Sequence, residues 1–303
     1  MSVVELESRE IQLEAPQGLW SEAWKRLRRN PAAIAGFVLV GIFVILAVFA
    51  PLIAPYGPRE VTGPLTDAFE APSLDHWAGL DQQARDELSR IMYGARYSLL
   101  IGIVSVFVGL SVGLSVGLTF GALAGYMGQL TDSVIMRAMD VMLSIPSLLL
   151  AIGIVAVLGP GFFQIMIAVG VVQIPIFARL LRGSVLAQKQ NDFVLAARSV
   201  GVPRRTILAS HILPNSVSPL IVQGTLAMAT AIIDVAGIGF LGLGPPDPGT
   251  PEWGTILSDV NRYFQSGPHL AIAPGVAIVL TVLGFNLIGD ALREALDPKL
   301  RSR

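Results

Sequence analysis

The 303-residue chain has no cysteine, which excludes disulfide frameworks, thiolate catalysis and thiolate metal sites. It is also poor in charge: 14% of its residues are charged, against 53% hydrophobic. A soluble domain carries about 25% charged residues, so this composition describes an integral membrane protein. The dipeptide Gly-Lys does not occur, and with it goes any phosphate-cradling G-x-x-x-x-G-K-[ST] loop. His76, His211 and His269 are scattered, with no H-E-x-x-H pattern and no i,i+4 partner, so no histidine metal site is expected. Catalytic residues, a metal and a bound cofactor are all unexpected here. The formal net charge of −1 says little about partners, because the charges are segregated along the chain. The N-terminus lacks the form of a secretory signal: Glu5, Glu7, Glu10 and Glu14 precede its basic cluster, and the apolar run that follows is too long. That run reads as a retained anchor.

What the chain does have is long apolar runs. Crossing ~30 Å of hydrocarbon takes ~20 residues, and six stretches qualify: Ala33–Ala54, Ser98–Leu123, Ser133–Leu158, Phe162–Leu181, Ser216–Phe240 and Leu270–Leu292. Gly159-Pro160-Gly161 forms a tight turn that makes the third and fourth an antiparallel pair. The fold class expected is therefore all-α integral membrane, with six transmembrane helices.

Basic residues orient these spans. Lys25, Arg26, Arg28 and Arg29 precede the first, and Arg137 lies between the second and third. Arg179, Arg182, Lys189, Arg198, Arg204 and Arg205 separate the fourth from the fifth; Arg293, Lys299, Arg301 and Arg303 follow the last. Six spans put all of these on one side and leave Arg59, Arg85, Arg90, Arg96 and Arg262 on the other. Both termini are thus expected in the cytoplasm. The implied organisation is a cytoplasmic N-terminal region (1–31), a first span (32–54), an extracytoplasmic loop (55–97), a five-span core (98–292) containing a cytoplasmic loop (190–214), and a cytoplasmic tail (293–303).

Several local patterns carry expectations of their own. Trp20, Trp24 and Leu27 line one face of a short helix whose other face is basic, which describes an interfacial helix lying on anionic lipid and stopped by Pro31. In the second span Ser105, Gly109, Gly113, Gly117, Gly121 and Gly125 recur every four residues, a smooth stripe ~30 Å long. It suits close helix packing, and equally helices that slide during a transport cycle. Arg137 and Asp140, at i,i+3, are placed to pair. Asp234 has no partner evident in sequence; with Gln173, Gln223 and Asn286 it is a candidate for lining a pathway or for interhelical hydrogen bonding. The run PPDPGTPEWG before the sixth span is too stiff for helix, and Trp253 within it reads as a headgroup anchor or a contact for a docked protein.

The most informative segment is Asp192–Pro214, DFVLAARSVGVPRRTILASHILP. Asp192 suits an N-cap, Phe193, Ala196, Ala197 and Val200 repeat at helical spacing, and Gly201 suits a left-handed C′ position. Pro203 opens a second short helix carrying Arg204, Arg205 and His211, which Pro214 ends. An amphipathic helix hung between spans is either a docking element or an interfacial rest.

The order Leu195-Ala196-Ala197, three residues, Gly201, nine residues, His211-Ile212-Leu213-Pro214 resembles the cytoplasmic E-A-A-x-x-x-G loop of bacterial ABC importer permeases. Met92–Gly102, Pro146–Ala151, Phe240–Gly244 and Phe285–Leu300 extend the likeness to the second membrane subunit of the dipeptide/oligopeptide/nickel permease family. That resemblance implies a type I importer permease paired with a related permease as a heterodimer. Two cytoplasmic ATPases would bind ATP and Mg, an extracytoplasmic binding protein would deliver the solute, and nucleic acid has no part. On the same reading Phe193 and Val200 give apolar contact to an ATPase groove, Ala196, Ala197 and Gly201 permit close approach, and Arg198, Arg204 and Arg205 add charge. The solute implied is a di- or oligopeptide, with nickel chelate, glutathione or sugar as alternatives. An ion-coupled transporter or channel, or a scaffold that recruits an ATPase for another purpose, are readings from other classes. Three departures stand out: Leu195 replaces the family's Glu, Gly79-Leu80-Asp81 and Ala84-Arg85-Asp86 replace Gly-Thr-Asp and Gly-Arg-Asp, and Asp234 lies one position earlier than the family's acid.

Overall fold

The computed structural model describes the backbone of residues 19–123, 129–247 and 249–296, and side chains over 21–119, 133–247 and 249–296. Eleven α-helices make up most of it: α1 (Leu19–Leu27), α2 (Pro31–Ile53), α3 (Glu87–Leu123), α4 (Gln129–Ser144), α5 (Ser147–Leu158), α6 (Phe162–Gln188), α7 (Asp192–Ser199), α8 (Arg204–Thr206), α9 (Leu213–Ile238), α10 (Trp253–Arg262) and α11 (Ile272–Leu296). Among the described residues there is no strand, only two isolated bridges, Val61 with Arg85 and Leu80 with Asp86.

Five helices are long and apolar enough to cross a membrane, and the bent pair α4–α5 makes a sixth span if counted as one. The third apolar run is therefore not the straight helix its hydropathy suggests; it bends by 93° between Ser144 and Ser147. Pro146 is the cause. It has no N–H, and its ring pushes the preceding residue out of the α region, so Ile145 ends α4 with a tight bond to Met142 O (3.3 Å) and α5 starts afresh. At the far end of α5 the Gly159-Pro160-Gly161 turn uses φ +87° at Gly159 and +156° at Gly161, values that suit glycine.

Other boundaries move for equally local reasons. α3 begins at Glu87, well before Ser98 where the apolar run starts. Asp86 accepts the Ser89 amide (2.7 Å) as a cap, and the polar first turns are buried against residues 76–85 rather than exposed. Pro214 does not end a short helix. Residues Ile207–Ile212 form a wider π-turn, with Leu213 N bonded to Leu208 O, and run straight into α9, so the missing proline N–H falls at the change of register. Pro31 stands at the start of α2, where Asn30 Oδ1 accepts from Ala32 (2.9 Å) and Ala33 (3.3 Å).

The main core is built from α3, α5, α6 and α9, around Phe177, Leu181, Val169, Ala231 and Ile238. A second cluster joins Phe43 of α2 and Leu99 of α3 to Trp253 and Ile256 of α10. α1 is bolted onto the bundle by Ala23 and Leu27, which are buried against Val222, Ala291 and Leu296. Leu27 thus faces protein rather than lipid, while Trp24 is half exposed.

Candidate coupling site and membrane pathway

α7 hangs between α6 and α9 at the end of the bundle opposite α10. Asp192 does not cap it; Asn191 takes the N-cap position and Asp192 sits in the first turn, where a carboxylate complements the positive helix end. Its C-terminus is a Schellman motif: Val202 N bonds Ala197 O (3.1 Å), Gly201 N bonds Arg198 O (3.0 Å), and Gly201 takes φ +80°. One residue missed by the spacing argument ties the helix down. Val194 is fully buried in the core with Val185 and Ile207, and Ala197 and Val202 lean on the same cluster. With Val194 turned inward, Phe193, Leu195 (57% exposed), Ala196 and Val200 (79% exposed) are left facing out, ringed by exposed Arg198, Arg204 and Arg205. A Cβ on Gly201 would meet nothing within 4 Å, so that end is also open. The arrangement performs no chemistry; it presents an apolar surface with a cationic rim to another body.

The candidate pathway residues divide into pairs. Gln173 is buried and donates to Thr230 Oγ1 (3.1 Å), leaving its Oε1 without a partner. Asp234, one turn further along α9, is buried and accepts from Ser147 (3.4 Å), the first residue after the α4–α5 break. The carboxylate that sequence leaves unpartnered is thus tied to the bend. Gln223 shares the α9 face of Thr230 and Asp234, since 223, 230 and 234 recur at helical spacing. It lines a cleft of about 320 Å³ with Ser218 and Arg293. Asn286, half-buried on α11, is not hydrogen-bonded to any of these. Asp140 pairs with Arg179 of α6 rather than with Arg137, because the bend lays α4 across α6; both partners are exposed, so the pair contributes roughly 0–1 kcal/mol.

The glycine stripe of α3 meets α6 of the same chain. An added Cβ would lie 2.5 Å from Gln173 Cβ at Gly109, 2.6 Å from Phe177 Cβ at Gly113 and 2.9 Å from Ala178 O at Gly117. Gly170 reciprocates from α6, 3.0 Å from Ser105 O. The backbones touch, so packing accounts for these glycines. The surroundings of Gly121, and Gly125 altogether, lie outside the described residues. The stripe also spells G-x-S-x-G twice, from Gly109 and from Gly113, but both strings are mid-helix and lack the strand-to-helix turn of a nucleophile elbow.

Residues 117–302 match the family of binding-protein-dependent transport system inner membrane components, and residues 18–72 match the N-terminal transmembrane domain of oligopeptide transport permease C. The chain belongs to this permease family. It is a multi-pass inner-membrane subunit of an ABC importer, a machine that in general also comprises ATPase and permease subunits and a binding protein. That membership sets aside the reading as a self-sufficient ion-coupled transporter. The chain is 46% identical over 283 residues to the dipeptide transport system permease protein DppC of Alkalihalophilus pseudofirmus, covering 93% of this chain and 91% of that one. It is 46% identical over 282 residues to the glutathione transport system permease protein GsiD of Shigella flexneri, with the same coverage. Inward-facing structures of the MetNI methionine ABC transporter share the fold: TM-score 0.56 at 20% identity, over 69% of this chain and 96% of that one.

At the α10 end the permease departs most from expectation. Trp253 is neither a headgroup anchor nor a docking contact. It is fully buried, its Nε1 donates to Ile91 O (3.0 Å), and its ring packs edge-on against Phe43. The proline-rich run ends at Glu252, whose side chain caps α10 by accepting from Gly254 N (2.9 Å) and Thr255 N (2.8 Å). The same carboxyl accepts from Ser98 (3.2 Å) on α3 and is pushed up from the ordinary carboxylate range by burial. Leading into and along the first turns of α3, Asp81 holds Arg85 (2.7 Å) and Arg90 in a buried cluster. Ala84, where the family usually has Gly, is held at φ +54° in the turn that forms this cluster. The sequence signals for this node are the family-like spelling of residues 84–86 and 92–102.

Proposed function

We propose that this permease forms half of the pathway of a peptide importer, as a heterodimer with a related permease, and takes its energy through α7. The observation that carries the coupling is the outward apolar surface of Phe193, Leu195, Ala196 and Val200 on a helix anchored by buried Val194. Such a surface ringed by arginines fits a protein groove better than hydrocarbon. On this reading both termini and α7 are cytoplasmic, ATP and Mg bind the partner ATPases, and the binding protein meets the α10 end. The pathway runs along the α9 face of Gln223, Thr230 and Asp234, with Gln173 behind it. Peptide as solute is supported by the names of the relatives, one a dipeptide permease and one a permease for glutathione, itself a tripeptide.

The chain has no cysteine, which makes the test clean. A cysteine at exposed Ala196 should cross-link to one placed in the ATPase groove, with a yield that changes when ATP is trapped, while a cysteine at buried Val194 should not. Failure of every exposed position from 193 to 200 to cross-link in the assembled transporter refutes the docking. Uptake of labelled dipeptide against glutathione, with ligand identification on the binding protein, decides the solute.

A further inference from the structure

We propose that the corner between α1 and α2 is a seat for one anionic phospholipid, its headgroup on Arg28 and Arg29 and one acyl chain in the groove below. α1 does not float. Ala23 and Leu27 fix it to α11, so the face adjoining them, about 100° round the helix, has a set direction, and Trp24 and Arg28 follow one another along it. The Arg28 guanidinium lies over the Trp24 ring, 4.7 Å from its centroid, which holds the charge above an apolar floor rather than free in water. Beneath it a groove of about 280 Å³ runs between Trp24 and Leu27 of α1 and Ile34, Phe37 and Val38 of α2. The groove walls continue into the exposed apolar face of a 23-residue span, so the medium that fills the groove is hydrocarbon.

Around the corner a second cleft carries Arg26 and Arg29 beside Asn30. The backbone amides of this turn are spent internally: Arg28 N on Trp24 O, Arg29 N and Asn30 N on Arg26 O, and Ala32 N and Ala33 N on Asn30 Oδ1. A headgroup here is therefore held by side chains and not by the helix end. The acid at the cleft, Glu294, is engaged by Asn30 Nδ2 (3.0 Å). A phosphate diester with a net negative charge matches the Arg28 fork at the mouth of the groove, with Arg29 at the rim of the adjoining cleft, whereas a zwitterionic choline headgroup brings its own cation against them. The occupant is thus a phospholipid such as phosphatidylglycerol. A partner's helix in the groove would satisfy the apolar wall but leave the arginines without an anion.

The test uses the assembled transporter, equilibrated with equal amounts of phosphatidylglycerol and phosphatidylcholine of matched chains and read by native mass spectrometry. Wild type should retain one more phosphatidylglycerol per copy of this chain than Arg28→Gln/Arg29→Gln. The affinity for it should fall by about 25-fold, from two charges worth roughly fivefold each. If the double variant fails to assemble, wild type alone decides, because the preference must fade in ~1 M salt, where charges are screened within ~3 Å. Equal retention of the two lipids by wild type means an annular lipid only and overturns the seat. So does an unchanged count in the variant, a preference that survives high salt, or a groove that excludes both lipids because a partner fills it.

Discussion

Two short helices sit at opposite ends of α9, and the protein uses them in opposite ways. Each follows a polar break in the apolar pattern, starts beside an acid, Asp192 or Glu252, and carries alternating apolar and polar residues. α10 turns its apolar face inward and is locked by the Glu252 cap, the buried Trp253 ring and close backbone contact. α7 sinks one valine, rests Ala197 against the core and leaves Phe193, Leu195, Ala196 and the following Val200 outside. The difference teaches that an amphipathic pattern does not say what its apolar face meets. Where tertiary neighbours supply the cover, the helix belongs to the permease's own stability; where they do not, the cover must come from another protein.

Substitutions should separate the two helices sharply, beginning where the effect is greatest. Gly254→Val and Gly94→Val put a side chain on a Cβ that would lie 2.2 Å from Ala236 O or 2.3 Å from Pro251 O. No assembled permease is expected in membranes from either, by immunoblot and size-exclusion chromatography. Trp253→Ala removes a large buried ring and a hydrogen bond and should destabilise by about 3–5 kcal/mol in thermal or denaturant unfolding. A loss under 1 kcal/mol would show that α10 is not locked as described.

Glu252→Ala leaves buried amides of α10 without their acceptor and should cost about 2–3 kcal/mol, a cap loss plus desolvated donors. Burial raises this carboxyl's pKa in the folded state, so the fold holds the proton over a window where the unfolded chain has released it. Stability from this group is therefore greatest at low pH and falls as pH rises through that window. Glu252→Gln should flatten that slope in melting curves taken across pH, and an unchanged slope would assign it elsewhere.

Smaller still is Ala84→Gly, which relieves the left-handed strain at φ +54° and should stabilise by about 0.5–1 kcal/mol. Least of all, Phe193→Ser, Val200→Ser and Leu195→Glu should shift stability by no more than ~0.5 kcal/mol, as exposed positions do. Transport and solute-stimulated ATP hydrolysis should nevertheless fall several-fold in the assembled system. Leu195→Glu is the sharpest of the three. It restores the family's residue, yet here it should impair coupling, because it sets a charge in an apolar contact. A variant that transports normally would show that Leu195 lies outside the docked surface.

Much of this was legible without coordinates, for a physical reason: lipid demands long apolar helices. The six runs, the Gly159–Gly161 turn and the left-handed Gly201 all follow from that level, each set by a residue's own chemistry or its immediate neighbours. The coupling surface was half legible. Helical spacing put Phe193, Ala196 and Val200 on one side, but only the packing of Val185 and Ile207 around Val194 shows which way that side turns. Trp253 differs from its expected place because a tryptophan at a headgroup and one under a loop that folds back have the same hydropathy. Asp140 and Asp234 found Arg179 and Ser147 because Pro146 bends the third span, and the 93° bend creates neighbours that no local spacing contains.

By itself, then, the sequence determined the class, the apolar runs, the glycine turns and the absence of a phosphate loop, since all of these depend on composition or on residues near in the chain. The tertiary structure alone decided what each polar or amphipathic element faces: α10 inward, α7 outward, Asp234 to the bend, and the α3 glycines to α6. Those choices rest on contacts between distant segments, and the glycine contacts depend on clearances of a few tenths of an ångström.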